Sequence, residues 1–370
     1  MKKEKKVLFN RLDFLYLKHE DEYKQAALRA LRSGWYIMGP ELEAFEKEFA
    51  RYVGCLHCVG VNSGLDALTL SLRALGIGEG DEVIVQANTY IATVLAITEN
   101  RAKPIFVEPD EFHGIDANLI ETAITPKTKA IMVVHLYGQP CDMEPITVIS
   151  KRTGIPLIED CAQSHGSTYK DKMTGAFGIL GCFSFYPTKN LGAFGDAGAV
   201  VTDNPVFADK LRALRNYGSK IKYQNETTGV NSRLDEIQAA LLRIRLGHLE
   251  EILAEREAIA QLYLAGINNP TVRLPKVRPE ARHTWHQFVV QCNNRDALQT
   301  WLKEKGIQTQ IHYPIPPHLS KAYSDLGYSR GSFPITEHLA NTVLSLPLYC
   351  GMTSDEIEYV VDTVNRFLDR

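Results

Sequence analysis

Between Ile155 and Gly198 the chain reads IPLIEDCAQSHG, a loop, and then GCFSFYPTKNLGAFGDAG. An apolar, strand-like run from Ile155 to Ile158 ends in Glu159 and Asp160. A second, from Gly181 to Tyr186, ends in Pro187, Thr188 and Lys189 ahead of a glycine-rich turn. Two strand ends, 29 positions apart, thus deliver a carboxylate and a lysine. Ligands of open α/β sheets sit outside the carboxyl ends of strands, so this pair constrains both the fold and the place of its chemistry. Further strand-like runs at His57–Val61, Asp81–Val85, Pro104–Val107 and Ala130–Leu136 alternate with helical patterns. The alternation predicts an α/β fold, a mostly parallel sheet with helices on both faces.

A lysine and a carboxylate so placed suit pyridoxal phosphate (PLP) chemistry: the amine condenses with the aldehyde, and the carboxylate keeps the ring nitrogen protonated so that the ring takes up electrons. A free lysine titrates near ~10.4 and is almost wholly protonated at neutral pH, so the site must desolvate it or bind it covalently. Alone, an ED pair reads as a solvated turn or helix cap and a lysine as surface; their combination carries the reading.

The motifs VNSGLDAL at 61–68, NTYIAT at 88–93, HLYGQPCDM at 135–143, EDCAQSHG at 159–166, SFYPTKNLGAFGDAGAV at 184–200 and GVNSRLDEIQAA at 229–240, in this order, resemble the nucleotide-sugar aminotransferases of the DegT/DnrJ/EryC1/StrS family. These are PLP enzymes of the aspartate aminotransferase fold, type I. The resemblance runs from about Phe9 to Arg370 and implies a large PLP-binding domain, 1–250, with a smaller C-terminal α/β domain, 251–370. It assigns Lys189 to the Schiff base, Asp160 to the ring nitrogen, Gln163 to the ring's 3-hydroxyl, Ser184 to the phosphate and Tyr90 to one ring face. Ser63 and Gly64 open a helix, where unpaired N–H groups and the dipole suit a phosphate; Asn62 or Ser63 could equally serve as a plain cap. Asn231, on a loop reaching the neighbouring subunit, implies a homodimer with shared active sites, and Arg233 would anchor that loop. The aromatic stretch GWYIMG at 34–39 lies near the active site across the dimer interface in the family, or is a packing segment.

Substrate candidates are His165, His312, Tyr313 and Tyr217. His165 could instead satisfy a loop carbonyl, and the proline-rich segment Ile311–Leu319 could be a plain turn. HYPIPPHL and HLYGQPCDM look most like the branch that aminates carbon 3 of dTDP-3-keto-6-deoxyhexoses, with glutamate as amino donor and a dTDP-3-amino-3,6-dideoxyhexose as product. The alternatives are transamination at carbon 4 of a UDP- or dTDP-4-keto sugar and a regulatory protein on the same scaffold. Family members that remove a hydroxyl carry histidine where Lys189 stands here.

Composition bounds the remaining possibilities. Hydrophobic residues make up 45% and charged residues 23% of 370 positions, as in soluble globular proteins. A net charge of -3 gives no nucleic-acid footprint, and no apolar run approaches the ~20 residues of a membrane span. The basic run Lys2–Lys6 lacks the apolar core of a signal peptide and reads as a solvated tail; the expected location is cytoplasmic. Seven scattered cysteines fit a reducing compartment. Cys55 and Cys58 form a CxxC without a second pair, so no metal site is expected.

Helical patterns cover Glu20–Arg32, with Leu31 on the apolar side, a segment opening at Pro40, Asn204–Asn216, and one long helix from Asp235 to about Ile267. Ser219–Gly229 reads as a polar loop. Strands are expected at His286–Gln291 and Thr309–Tyr313 around a helix at Arg295–Lys305, and Thr353 with Glu356 as a capping box.

Overall fold

The computed structural model describes residues 6–221 and 223–368; Lys2 to Lys5 of the basic run lie outside them. Seven strands form the main sheet: β1 (His57–Val61), β2 (Glu82–Gln86), β3 (Lys103–Val107), β4 (Thr128–Val134), β5 (Leu157–Asp160), β6 (Leu180–Ser184) and β7 (Gly198–Thr202). Their spatial order is β1-β7-β6-β5-β4-β2-β3. β2 to β6 are mutually parallel, and β7 runs antiparallel to both its neighbours.

The sequence of β2 shows why the sheet is covered twice. Val83, Ile84 and Val85 are each 0% exposed, yet Val83 and Val85 join one core while Ile84 joins another, because successive side chains point to opposite faces. Such unbroken apolar runs are the mark of a strand buried on both sides. Helices Gly64–Ala74 and Ile91–Glu99 pack on one face. Pro40–Val53 and Glu236–Gly247 help build a core on the other, with Leu42, Phe45 and Phe49 buried there.

A further core gathers Val7 and residues from Ile259 to Phe367 around a three-stranded sheet, Val272–Arg273, Phe288–Cys292 and Val343–Leu346. Residues 7–10 cross to it: Val7 bridges Ile307 in parallel, and Phe9 N–H donates to Gln308 Oε1 at 3.1 Å. The capping box of Thr353 and Glu356 is present. Among the described residues no helix is long and apolar enough to cross a membrane, and no disulfide links the seven buried cysteines.

Several expectations need correction. The long helix is two, Glu236–Gly247 and Leu249–Gly266, broken at His248 (φ -102°, ψ 6°) directly after a helix-weakening glycine. Thr309–Tyr313 forms no strand; only Gln310 bridges Ser345, since Pro314, Pro316 and Pro317 supply no N–H to extend a ladder. The polar loop holds a short ribbon, Ser219–Ile221 with Gln224–Asn225. In the helix Glu20–Ser33, Tyr23, Ala26 and Ala30 are buried while Leu31 is 50% exposed. Trp35 and Tyr36 are 58% and 56% exposed, while Met38 packs on the core beneath and Ile37 bridges Asp235, so only the end of GWYIMG is a packing segment within this chain.

Candidate active site

At the carboxyl ends of β5 and β6 lies a cavity of about 570 Å³. Asp160, Gln163, Ser63, Gly64, Ser184, Tyr90, Lys189, His312 and Tyr313 all line it. Asp160 closes β5 and is 4% exposed. Thr93 Oγ1 donates to its Oδ2 at 2.8 Å and the Ala162 N–H to its Oδ1 at 3.1 Å. Burial raises its pKa against these bonds and the charge of Lys189. For Lys189, burial brings the ammonium down to about 8, with the charge of Asp160 working to keep the proton. Two opposite charges held in a half-desolvated cleft, each drawn toward its neutral form, form an arrangement typical of reactive sites.

The wall opposite is built from close backbone approach. Ser63 caps the helix Gly64–Ala74 by accepting from the Asp66 N–H at 3.1 Å. A Cβ on Gly64 would come within 2.4 Å of Ser184 Cβ, and one on Gly198 within 2.3 Å of the Ser63 carbonyl oxygen. Side-chain-free residues thus bring a helix N-terminus, two hydroxyls and the end of β6 together in a cradle suited to an anion. Capping and cavity lining are both true of Ser63.

Gln163 is clamped at both ends. Its Oε1 accepts from the Tyr137 N–H at 2.6 Å, and its Nε2 donates to Tyr313 Oη at 3.0 Å. The Tyr313 ring lies 5.0 Å from that of Tyr90, which is 50% exposed toward the open side. His312 Nδ1 meets Ser345 Oγ at 2.7 Å, and burial together with the charge of Lys189 brings its imidazole down to about 4.

Other expected residues stand elsewhere. His165 is outside the cavity lining: its ring packs 5.5 and 5.7 Å from Phe183 and Phe185, neither nitrogen has a hydrogen-bond partner, and burial takes it down to about 3. In this chain His165 thus packs behind β6 and does not line the cavity. Asn231 and Tyr217 are exposed and outside the lining. Arg233 Nη1 donates to Asn216 Oδ1 at 3.1 Å beside Tyr217, tying down the loop's base.

Sequence reasoning missed Thr93, Tyr137 and His286. Thr93 follows Tyr90 by one helical turn, a usable signal. Tyr137 adopts φ 62°, which no residue pattern marks in a non-glycine. His286 lines the cavity with Nδ1 unpartnered, and burial carries its pKa well below the usual range.

Residues 18–365 match the DegT/DnrJ/EryC1/StrS aminotransferase family. The dTDP-3-amino-3,6-dideoxy-alpha-D-galactopyranose transaminase of Aneurinibacillus thermoaerophilus is 53% identical over 95% of this chain and 96% of its own. Among solved structures, S. venezuelae DesV in complex with a ketimine intermediate has a TM-score of 0.96 at 49% identity, covering 99% of both chains. NtdA from Bacillus subtilis with bound cofactor PMP has a TM-score of 0.90 at 32% identity, covering 98% of this chain and 86% of its own. With five of its six family motifs lining one cavity, the chain belongs to the DegT/DnrJ/EryC1/StrS aminotransferase family.

Proposed function

We propose that this enzyme transfers an amino group from glutamate to carbon 3 of a dTDP-3-keto-6-deoxyhexose, using PLP held in the cavity. The carrying observation is the convergence of Lys189, its amine brought down to about 8, with the half-satisfied Asp160 at one cavity. The residues fit the cofactor: the Gly64–Ser184 approach leaves a cradle for its phosphate, and Asp160 offers an unspent carboxylate for a ring nitrogen. When bound, PLP supplies an aldehyde that accepts the amino group and a ring that takes up electron density.

Asp160 holds the negative charge, and Thr93 fixes its Oδ2. Gln163 would face the ring's 3-hydroxyl and Tyr90 one ring face, and Ser63, Gly64 and Ser184 would hold the phosphate. Lys189, neutral for part of the time at physiological pH, accepts a proton from the donor's α-carbon and returns one in the reverse half-reaction. His312 and Tyr313 close the sugar side. Asn231 and Tyr217, exposed and away from this chain's own cavity, serve the partner's site in a homodimer. We assign residues 1–250 to a large PLP-binding domain and 251–370 to a small one; Leu249 and Leu253 join the core under the main sheet, whereas Ile259, Ala260 and Tyr263 join the other, and Tyr323 returns to a main-sheet core. The cysteines favour a cytoplasmic location.

The sugar assignment rests on similarity to the Aneurinibacillus transaminase. A visible spectrum with PLP tests it. The cofactor band should fall on adding glutamate and return on adding a dTDP-3-keto-6-deoxyhexose. Return only with a 4-keto sugar moves the reaction to carbon 4, and no loss with glutamate removes the amino-transfer reading.

A further inference from the structure

His19 and His248 are remote in sequence but stack, with ring centroids 3.7 Å apart and planes 22° off parallel. Glu22 reaches both. Its Oε1 lies 3.3 Å from His19 Nδ1, and each of its oxygens lies 3.1 Å from His248 Nε2. All three donor atoms fall within 4.8 Å of one another, outside the residues lining the active-site cavity. We propose that His19, Glu22 and His248 bind a divalent transition-metal ion of the zinc class.

The donor set carries this. A tetrahedral ion about 2.0 to 2.1 Å from each donor needs donors about 3.3 Å apart. Both Glu22 contacts are near that spacing; the two imidazole planes, 22° off parallel, do not converge on one point as they stand, so ligation requires one ring to turn out of the stack. Two imidazole nitrogens with one carboxylate select zinc, cobalt or nickel over magnesium or calcium, and three protein ligands leave a fourth position for water. An outer carboxylate stands nearby, beyond hydrogen-bond distance. Glu251 Oε2 lies 3.9 Å from His248 Nδ1, the side where a metal-bound histidine gives its remaining proton to a carboxylate, and Lys18 ties Glu251 down at 2.5 Å.

His19 and Glu22 stand at the start of the helix Glu20–Ser33, and His248 at the break between Glu236–Gly247 and Leu249–Gly266. These helices already meet through Tyr23, Ala26, Ala30, Ala240 and Leu241. The ion adds a polar clamp to the end of that apolar contact. Because imidazoles must shed protons to ligate, binding weakens on acidification.

The test is titration of the tag-free, PLP-loaded enzyme with Co²⁺ after chelator treatment, followed by the d–d absorption of the metal, which is separate from the cofactor band. One equivalent per chain should saturate, and His248→Ala, His19→Ala and Glu22→Gln should each weaken binding by about tenfold or more while amino transfer persists as proof of folding. Absence of a stoichiometric site in the parent, or a His248→Ala variant that binds as the parent does, overturns the proposal.

Discussion

Glu159 and Asp160 are adjacent on β5, both buried, and project to opposite faces of the sheet. Glu159, 0% exposed, accepts from the backbone N–H groups of Gly175, Phe177 and Gly178 at 2.8, 2.7 and 2.6 Å and from His135 Nε2 at 2.9 Å. The Cys141 N–H donates to His135 Nδ1, which leaves the ring proton on Nε2 for Glu159. Asp160 has two donors and a face on the cavity. A buried carboxylate costs free energy unless donors surround it. At Glu159 the fold meets that cost alone, so the residue is structural. At Asp160 it stops halfway, and the shortfall is a binding opportunity for a cationic ring nitrogen.

The sharpest way to break this contrast is at the cavity. Lys189→Ala should lower amino transfer by about 10³-fold or more, since proton transfer and covalent capture are both lost, with circular dichroism unchanged; measurable turnover near the parent's would end the assignment. Asp160→Asn should cost about 100-fold in kcat with a smaller loss of PLP affinity, and equal, slight losses in both would erase the difference between the two acids. Glu159→Gln should do the reverse. It should cost about 2 kcal/mol of stability through weakened charged hydrogen bonds, seen as a lower Tm, while kcat of the folded enzyme stays within a few-fold. Gly64→Ala, which forces Ser184 away, should weaken PLP binding by about tenfold, roughly the worth of one such hydrogen bond.

A pH series sharpens the same point. Capture of PLP by cofactor-free protein needs the neutral Lys189 amine, so its rate should rise with pH through about 8 rather than near the ordinary ~10.4. Asp160→Asn removes the charge that holds the proton, so the midpoint should move to lower pH. An unchanged midpoint would uncouple the pair.

Lys189 and Asp160 were readable from the sequence because each terminates a local apolar run, and strand ends are where parallel sheets bind ligands. Gly64 and Ser63 were readable for the same local reason. Thr93, Tyr137 and His286 act through tertiary contacts that no short spacing encodes: Thr93 reaches Asp160 across 67 positions, and Tyr137 presents its N–H to Gln163 only through a left-handed turn. At Thr309–Tyr313 the local pattern misled, because the following prolines override a strand-like composition. His248 was hidden by apolar residues that keep helical spacing across a real break.

The cavity draws Phe9 and Asn10 from near one end of the described chain and His286, Gln310, His312 and Tyr313 from near the other. During synthesis, Lys189 and Asp160 therefore emerge well before the walls that enclose them. A chain halted before residue 313 therefore holds Lys189 and the phosphate cradle but lacks one wall of the cavity, so the pocket is closed only by chain that is made after the reactive residues.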